Sequence, residues 1–178
     1  MKGLFLSLLA GALALAAPAR AQTDGTHDFD FNIGTWHSEI TRLMHPFSGS
    51  TETIALHGIV TVRRVWGGRA ELEEIEADGP NGHWEGMTLF LYNPKGRQWS
   101  QNFYNSADPT PPVPTVGAFK DGRGELYAQD TFGGRAILVR GTWSDITPDA
   151  HRYEEAYSQD GGRTWLTVFN ARLTRIKA

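Results

Sequence analysis

The chain has 178 residues, with 17 Lys and Arg against 20 Asp and Glu, and it contains no Cys. Nucleic acids and anionic membranes select basic surfaces, so a net charge of −3 argues against both as partners. Without Cys there is no disulfide framework, and sheet hydrogen bonds and a buried core must hold the fold together.

The first 21 residues have the pattern of an export signal. Lys2 is followed by an uncharged apolar run at residues 4–17, Pro18 breaks that run, and residues 19–21 read Ala-Arg-Ala. The run has about 14 residues, fewer than the roughly 20 that a membrane-spanning helix needs. We therefore expect a signal peptide at residues 1–21, no membrane span after its cleavage, and a periplasmic or secreted protein.

Residues 22–178 have the length of one ordinary domain. Cleavage would remove Lys2 and Arg20 from the 17 basic residues, leaving 15 against 20 acidic residues. Gly, Pro, Asn and Asp recur roughly every 8–14 residues, a spacing typical of short strands joined by turns. Phe29 to Gly34 are interpreted as a short helical plug before the first strand.

The pattern predicts roughly ten strands. They are placed at residues 35–44, 52–65, 69–77, 83–93, 97–104, 114–119, 123–131, 134–144, 150–158 and 163–175. Antiparallel strands in this number need closure or two packed sheets to avoid exposed edges. Polar and aromatic residues alternate in many of them, which favours a closed barrel with a central cavity over a sandwich. The prediction is a single all-β domain at residues 22–178.

Two connections carry their own signals. The loop at residues 106–114 contains four Pro, so it cannot donate steadily to a ladder, and it forms either a lid at the barrel mouth or a plain surface connection. Residues 158–165 match the Asp-box pattern, a hairpin module best known from sialidase propellers. We interpret this match as a structural turn; its motif residues are Ser158, Asp160, Gly162, Thr164 and Trp165.

The opening Phe-Asp-Phe-Asn-Ile-Gly-Thr-Trp at residues 29–36 resembles the start of the calycin superfamily, which includes the lipocalins. More closely, the chain is similar to an uncharacterised group of exported bacterial lipocalin-like proteins, through residues 66–70, 91–94, 133–140 and 158–165. The resemblance implies a lipocalin-like barrel whose floor is formed by Gly34 and Trp36. It also implies that Arg172 or Arg175 stacks on the indole of Trp36 as a cation–π lid.

An Arg–Glu pair is the main candidate for binding a polar head group. If the turn at residues 145–149 is centred near Thr147, Arg140 and Glu154 face each other on adjacent strands. Inside the barrel such a pair would anchor a ligand; on the outside it would be an ordinary surface salt bridge. Fatty-acid-binding proteins, which hold a carboxylate with internal Arg side chains, add Arg42 and Arg63 or Arg64 as candidates.

Aromatic residues supply the apolar candidates. Centring the 93–96 turn in the same way pairs Phe90 with Trp99, and we take both as candidate ligand contacts, although most barrel aromatics are core. The strand at residues 71–76 has acids on both faces, and we interpret it as an edge-like or solvated strand with one Glu directed inward.

Metal and haem sites have weak support. His37 with Glu39 and His83 with Glu85 each share a strand face, but nothing in the sequence brings these pairs together. A haem site, implied by the nitrobindin members of the superfamily, lacks its C-terminal His here, because no His follows His151. We therefore predict no metal and no cofactor.

The sequence leaves three functions open. The first is binding of a small hydrophobic molecule with a polar head group in the cavity. The second is a cavity enzyme of isomerase, cyclase or lyase type, using Glu154 with Arg140 near Tyr153 or Tyr157, although no catalytic motif is present. The third is a filled barrel that acts as a structural or interaction module.

Overall fold

The computed structural model describes residues 24–108 and 110–177. The predicted signal peptide, residues 1–21, lies outside the described residues. None of the helices within the described ranges has the length and apolar character needed to cross a bilayer.

The described chain is all-β and forms ten strands. They are β1 Gly34–Leu43, β2 Thr53–Val65, β3 Ala70–Gly79, β4 Gly82–Asn93, β5 Gln98–Asn105, β6 Thr115–Lys120, β7 Arg123–Phe132, β8 Arg135–Ser144, β9 Ala150–Ser158 and β10 Leu166–Arg175. Short 3-10 helices lie at Asp30–Asn32 and Trp66–Gly68. The largest difference from the predicted bounds is in β10, which begins after the Asp-box turn rather than within it.

The strands form a closed antiparallel barrel of the lipocalin-like type. Each strand pairs with its neighbours in sequence, and β1 also pairs with β10, where Ile40 lies opposite Ala171. Closure leaves no sheet edge unpaired, which explains how the described fold avoids edge-to-edge association. The predicted closed barrel is thus confirmed.

Alternation along β1 shows which side chains face the interior. Trp36, Ser38 and Ile40 are buried, whereas His37 and Glu39 between them are exposed. Side chains two residues apart share a face of a strand, so the even-numbered positions of β1 point inward. The same rule assigns the inward face of each other strand.

An aromatic plug fills one end of the barrel. The ring of Phe29 is completely buried and lies 4.6 Å from Phe90, 5.1 Å from Trp99 and 5.5 Å from Trp143, between ring centroids. The carbonyl of Gly25 accepts a hydrogen bond from the indole N–H of Trp99 at 2.8 Å. The segment before β1 therefore seals this end, which we call the floor.

Two hairpin registers differ from those predicted. Phe90 pairs with Gln101 rather than with Trp99, and Arg140 pairs with Ala156 rather than with Glu154. The turns are centred later than predicted. In the first turn Asn93 pairs with Gln98, so the turn has four residues rather than two, and Arg97 among them adopts a positive φ of 52°.

The β8–β9 turn is displaced for a similar reason. Asp145 has a φ of 53°, and the backbone N–H of Thr147 donates to the carbonyl of Ala150 at 2.8 Å. Positive φ is uncommon for residues other than Gly, so this centre is not visible in the sequence.

Candidate functional site

The half of the barrel above the floor encloses a cavity of about 540 Å³. Its apolar wall includes Ile40, Leu56, Ile75, Phe169 and Ala171, which lie on four different strands. The cavity reaches the end of the barrel opposite the plug. This volume lies within the range of pockets that hold small organic molecules.

Several polar side chains line this mainly apolar chamber. Glu73 on β3 and Glu155 on β9 both line the cavity, as does Tyr153 on β9. The hydroxyl of Tyr153 donates to Oε2 of Glu155 at 3.4 Å, and burial, followed by the charge of Glu155 and then that of Glu73, raises the pKa of Tyr153. We call Glu73, Tyr153 and Glu155 the acidic centre.

Glu73 is almost fully buried and is held by two neutral groups. Its Oε1 accepts from the hydroxyl of Thr88 at 2.8 Å, and its Oε2 accepts from the side-chain amide of Asn32 at 3.4 Å. Burial raises the pKa of Glu73, while these two hydrogen bonds lower it. Desolvation is the larger effect, so the neutral acid is favoured more than in water.

Glu155 has a similar environment nearer the mouth. Burial raises its pKa, hydrogen bonds from Tyr157 and Tyr153 lower it, and the charge of Arg42 lowers it further. Arg42 is exposed and lines the cavity at the end of β1, near the mouth. Arg42, one of the predicted ligand contacts, therefore lies on the cavity wall.

Arg140 and Glu154 do not line this cavity. On β9 the inward positions are Tyr153, Glu155 and Tyr157, so Glu154 between them points outward. Arg140 on β8 also faces outward, with its Nη2 atom 4.0 Å from Oε1 of Glu154. The hypothesis of an internal ligand anchor is wrong for this pair, because the inward face is the other one.

The remaining predicted ligand contacts lie below the cavity or outside it. Phe90 and Trp99 belong to the floor, where they pack on Phe29. Arg64 forms an ion pair with Asp30 at 2.8 Å on the outside of the plug. These three residues are therefore placed in the sealed end and not in the chamber wall.

The barrel floor has the arrangement that the resemblance implied. Trp36 is completely buried and donates its indole N–H to the carbonyl of Asn32 at 2.7 Å. The guanidinium of Arg175 lies 3.9 Å above the Trp36 ring and donates to the carbonyls of Ile33 and Phe31. Of the two Arg candidates, Arg175 occupies this place, and Arg172 is exposed on the opposite face of β10.

Gly34 is required at this floor by its backbone and by its neighbour. Its φ is +131°, and a Cβ at this position would lie 2.4 Å from Nη1 of Arg175. A side chain at position 34 would therefore displace the guanidinium from the indole of Trp36.

The Asp-box residues form a structural turn. The carboxylate of Asp160 accepts from the backbone N–H and the hydroxyl of Thr164, at 2.9 and 2.7 Å, and these bonds hold its pKa at about 2. Ser158 accepts from the backbone N–H of Gly162 at 2.9 Å. Trp165 lies outside the barrel with the guanidinium of Arg140 4.4 Å from its ring centroid.

The His pairs do not converge. His37 and Glu39 face outward on β1, and His83 contacts Asp78 at 3.0 Å and Glu85 at 3.9 Å near the mouth. Within residues 24–108 and 110–177, no group of three or more His, Asp or Glu is placed to hold a metal ion.

Sequence reasoning missed Glu155 and placed Glu73 only as one of several acids on β3. The signal was present as alternation, because Tyr153, Glu155 and Tyr157 share one face of β9. A shift of one residue exchanges the two faces of a strand, so choosing Glu154 as the inward acid excluded Glu155.

Comparisons with known proteins support the fold. No protein-family model and no curated protein sequence matches the chain. An S-type phycobiliprotein lyase from Guillardia theta is similar in structure, with a TM-score of 0.58, 14% identity, and coverage of 84% of this chain and 91% of that chain. The barrel thus fits a calycin-like fold.

Synthetic barrels are also similar in outline. A de novo fluorescence-activating β-barrel has a TM-score of 0.46 at 12% identity, covering 87% of this chain and 100% of its own. The barrel EF1p2_mFAP2b, whose structure contains bound DFHBI, has a TM-score of 0.47 at 10% identity, covering 85% of this chain and 99% of its own.

Proposed function

We propose that this protein binds a small, largely hydrophobic molecule with one polar group inside its barrel. The observation that carries the proposal is the chamber of about 540 Å³, with apolar walls and a few polar side chains among them. Binding pockets for small molecules have this composition, because apolar walls supply affinity and placed polar groups supply orientation. A barrel filled with side chains, the non-ligand alternative, would not leave this chamber.

Access to the chamber is from the end opposite the plug. Trp36, Arg175 and Phe29 seal the floor, whereas the mouth is bordered by turns and loops. Phe132 at the mouth lies 6.1 Å from Phe47 and 5.8 Å from Tyr157, between ring centroids. The apolar part of a ligand would pass these rings on its way in.

The enzyme alternative loses Glu154 and Arg140 as cavity residues, whereas Tyr153 and Tyr157 lie on the cavity wall. Glu154 and Arg140 lie on the outer surface, where Oε1 of Glu154 is 4.0 Å from Nη2 of Arg140. Binding is therefore the function that the geometry favours. The barrel shared with a phycobiliprotein lyase is compatible with it.

Export is part of the proposal. Cleavage after Ala21 would place Gln22 at the N-terminus and leave the plug, whose described residues begin at Asp24, attached to the barrel. Expression in a Gram-negative bacterium, followed by N-terminal sequencing of the periplasmic fraction, should give a chain that begins at Gln22. A protein found in the cytoplasm with Met1 intact would contradict export and leave the cavity argument unaffected.

Occupation of the chamber is tested with a neutral fluorescent probe. N-phenyl-1-naphthylamine, whose emission rises in apolar surroundings, should bind with a Kd in the micromolar range, about −8 kcal/mol. Ala171→Trp and Ile40→Trp each place a large ring in the chamber and should weaken binding at least about tenfold. Ala118→Trp adds the same ring on the exposed outer face of β6 and should leave binding unchanged.

Circular dichroism and thermal unfolding establish that each variant is folded before its affinity is compared. Equal probe binding by the wild-type protein and both folded cavity variants would show that the probe binds elsewhere, against the proposal.

A further inference from the structure

Both carboxyl groups of the acidic centre have neutral hydrogen-bond partners. Glu73 accepts from Thr88 and Asn32, and Glu155 accepts from Tyr153. A buried carboxylate is costly unless an opposite charge or strong donors replace its lost hydration. The chamber therefore has two groups whose ionised forms would gain from a cation placed beside them.

The acidic centre also has hydrogen-bond acceptor sites that the described donors do not fill. An ionised carboxylate offers about four lone-pair sites, and the described bonds to Glu73 use two of them. Ser38 lines the same chamber, is 3% exposed, and its hydroxyl has no hydrogen-bond partner among the described residues. A ligand that donates several hydrogen bonds would use this unfilled capacity.

Positive charge on the cavity wall is confined to its outer part. Arg42 lines the wall near the mouth. His83 lies at the mouth end of β4, where it contacts Asp78. A ligand carboxylate placed at the acidic centre would be buried beside two carboxyl groups and would be disfavoured, because its charge opposes their ionisation. The arrangement is thus the reverse of the internal Arg pair that a fatty-acid-type ligand requires.

We propose that the polar group of the ligand is a protonated amine, bound in the chamber by one carboxyl of the acidic centre, that of Glu73 or of Glu155, with its hydrocarbon part along the apolar wall. The proposal rests on the proposed binding function and specifies the ligand class as a hydrophobic amine. An ammonium group has three N–H donors and one positive charge, so it satisfies the free acceptors and the missing counter-charge together.

Amine binding should also release protons. The empty chamber favours neutral carboxyls, because burial raises the pKa of both Glu73 and Glu155, and a bound ammonium reverses that preference. Each carboxyl that ionises on binding gives one proton to solvent. The groups that act on these two carboxyls are Asn32, Thr88, Arg42, Asp130, Tyr153 and Tyr157.

Three probes with the same chain separate the head-group effect from the effect of the chamber. They are decylamine, decanol and decanoate, titrated at pH 7.5 and followed by calorimetry and by Trp fluorescence, since Trp84 and Trp143 line the cavity. We expect decylamine to bind at least about tenfold more tightly than decanol, which corresponds to about 1.4 kcal/mol, and decanoate to bind most weakly. Calorimetry in two buffers of different ionisation enthalpy should show proton release for decylamine alone.

Matched variants on two strands locate the effect. Glu73→Gln and Glu155→Gln keep the size of the side chain, and at least one of them should remove most of the preference for decylamine over decanol. Glu74→Gln and Glu154→Gln change the adjacent outward-facing acids and should leave that preference unchanged. The decanol affinity of each variant shows whether its chamber is intact.

The outcomes distinguish this inference from the function on which it rests. If decanol or decanoate binds as tightly as decylamine, or if neither Gln variant in the chamber reduces the preference, the amine assignment is overturned and hydrophobic binding stands. If none of the three probes binds to the folded protein and N-phenyl-1-naphthylamine also fails to bind, the proposed function itself is wrong.

Discussion

Glu71 is a buried acid in an unusual environment. It is completely buried beside the plug, and neither of its carboxylate oxygens has a hydrogen-bond partner among the described residues. Burial and the charges of Asp30 and Glu73 raise its pKa to about 8, while the charge of Arg64 acts in the opposite direction. The folded protein therefore holds a proton on Glu71 over a range in which the unfolded chain has lost it.

This proton links stability to pH with a definite sign. The carboxyl titrates near 4.5 when unfolded and near 8 when folded, so its contribution is fully present below pH 4.5 and is lost as the pH rises to 8. At the linkage rate of 1.36 kcal/mol per pH unit, the loss is at most about 5 kcal/mol. Urea unfolding of the wild-type protein should therefore show a free energy of unfolding that falls from pH 6.5 to pH 8, above the range in which His151, whose pKa burial lowers to about 3, has the opposite effect.

Glu71→Gln removes the titrating group and should flatten this pH dependence. The free energy of unfolding of the variant, relative to that of the wild-type protein, should therefore increase as the pH rises. The exposed neighbour Glu74 provides the control, and Glu74→Gln should keep the wild-type slope. A Glu71→Gln variant whose slope equals that of the wild-type protein would show that Glu71 is ionised in the fold.

The strands β2 and β3 approach each other closely at Gly58. A Cβ built at Gly58 would lie 2.0 Å from the backbone carbonyl oxygen of Glu76 and 2.7 Å from the Cα of Ala77. Neither atom is the end of a flexible side chain, so the two strands would have to separate. The lack of a side chain at Gly58 therefore allows the short distance between β2 and β3 at this point.

Gly58→Ala should lower the free energy of unfolding by about 1–3 kcal/mol, the usual cost of forcing an extra carbon into packed structure. Gly96→Ala is the control, because its Cβ would meet only side-chain atoms of Gln98 and Asn93 at 3.2 Å and beyond. Thermal unfolding of the two variants compares them directly. Equal midpoints would contradict the close approach of β2 and β3.

Elements also show what the sequence can and cannot predict. Turn residues and alternation predicted the ten strands, and Gly34 with Trp36 indicated the sealed end. Register was harder, because it depends on turn residues such as Arg97 and Asp145 that adopt a positive φ without being Gly. The Asp-box turn was predicted because its bonds are local, running from Asp160 to Thr164.

The site was less accessible from the sequence than the fold. Acids occupy both faces of β3, and Glu154 and Glu155 are adjacent on β9, so composition alone does not choose the inward members. Which face is inward depends on pairing around the whole barrel, including the closure of β1 on β10. Glu73 and Glu155 are brought to one chamber only by that closure.

At the scale of the whole molecule, one end of the barrel is sealed and the other opens to a chamber with acids in it. The floor is built from local contacts of the segment before β1 with Trp36, Trp99 and Arg175. The polar groups of the chamber come from β3 and β9, which lie on opposite sides of the barrel. Stability and binding are therefore concentrated in different halves of the barrel.

The most direct measurement is a crystal structure of the protein grown with decylamine. The account predicts density for the hydrocarbon chain inside the chamber, with the nitrogen about 2.7–2.9 Å from a carboxylate oxygen of Glu73 or Glu155. Decylamine bound on the outer surface over an unoccupied chamber, or a chamber filled by the protein's own side chains, would contradict it.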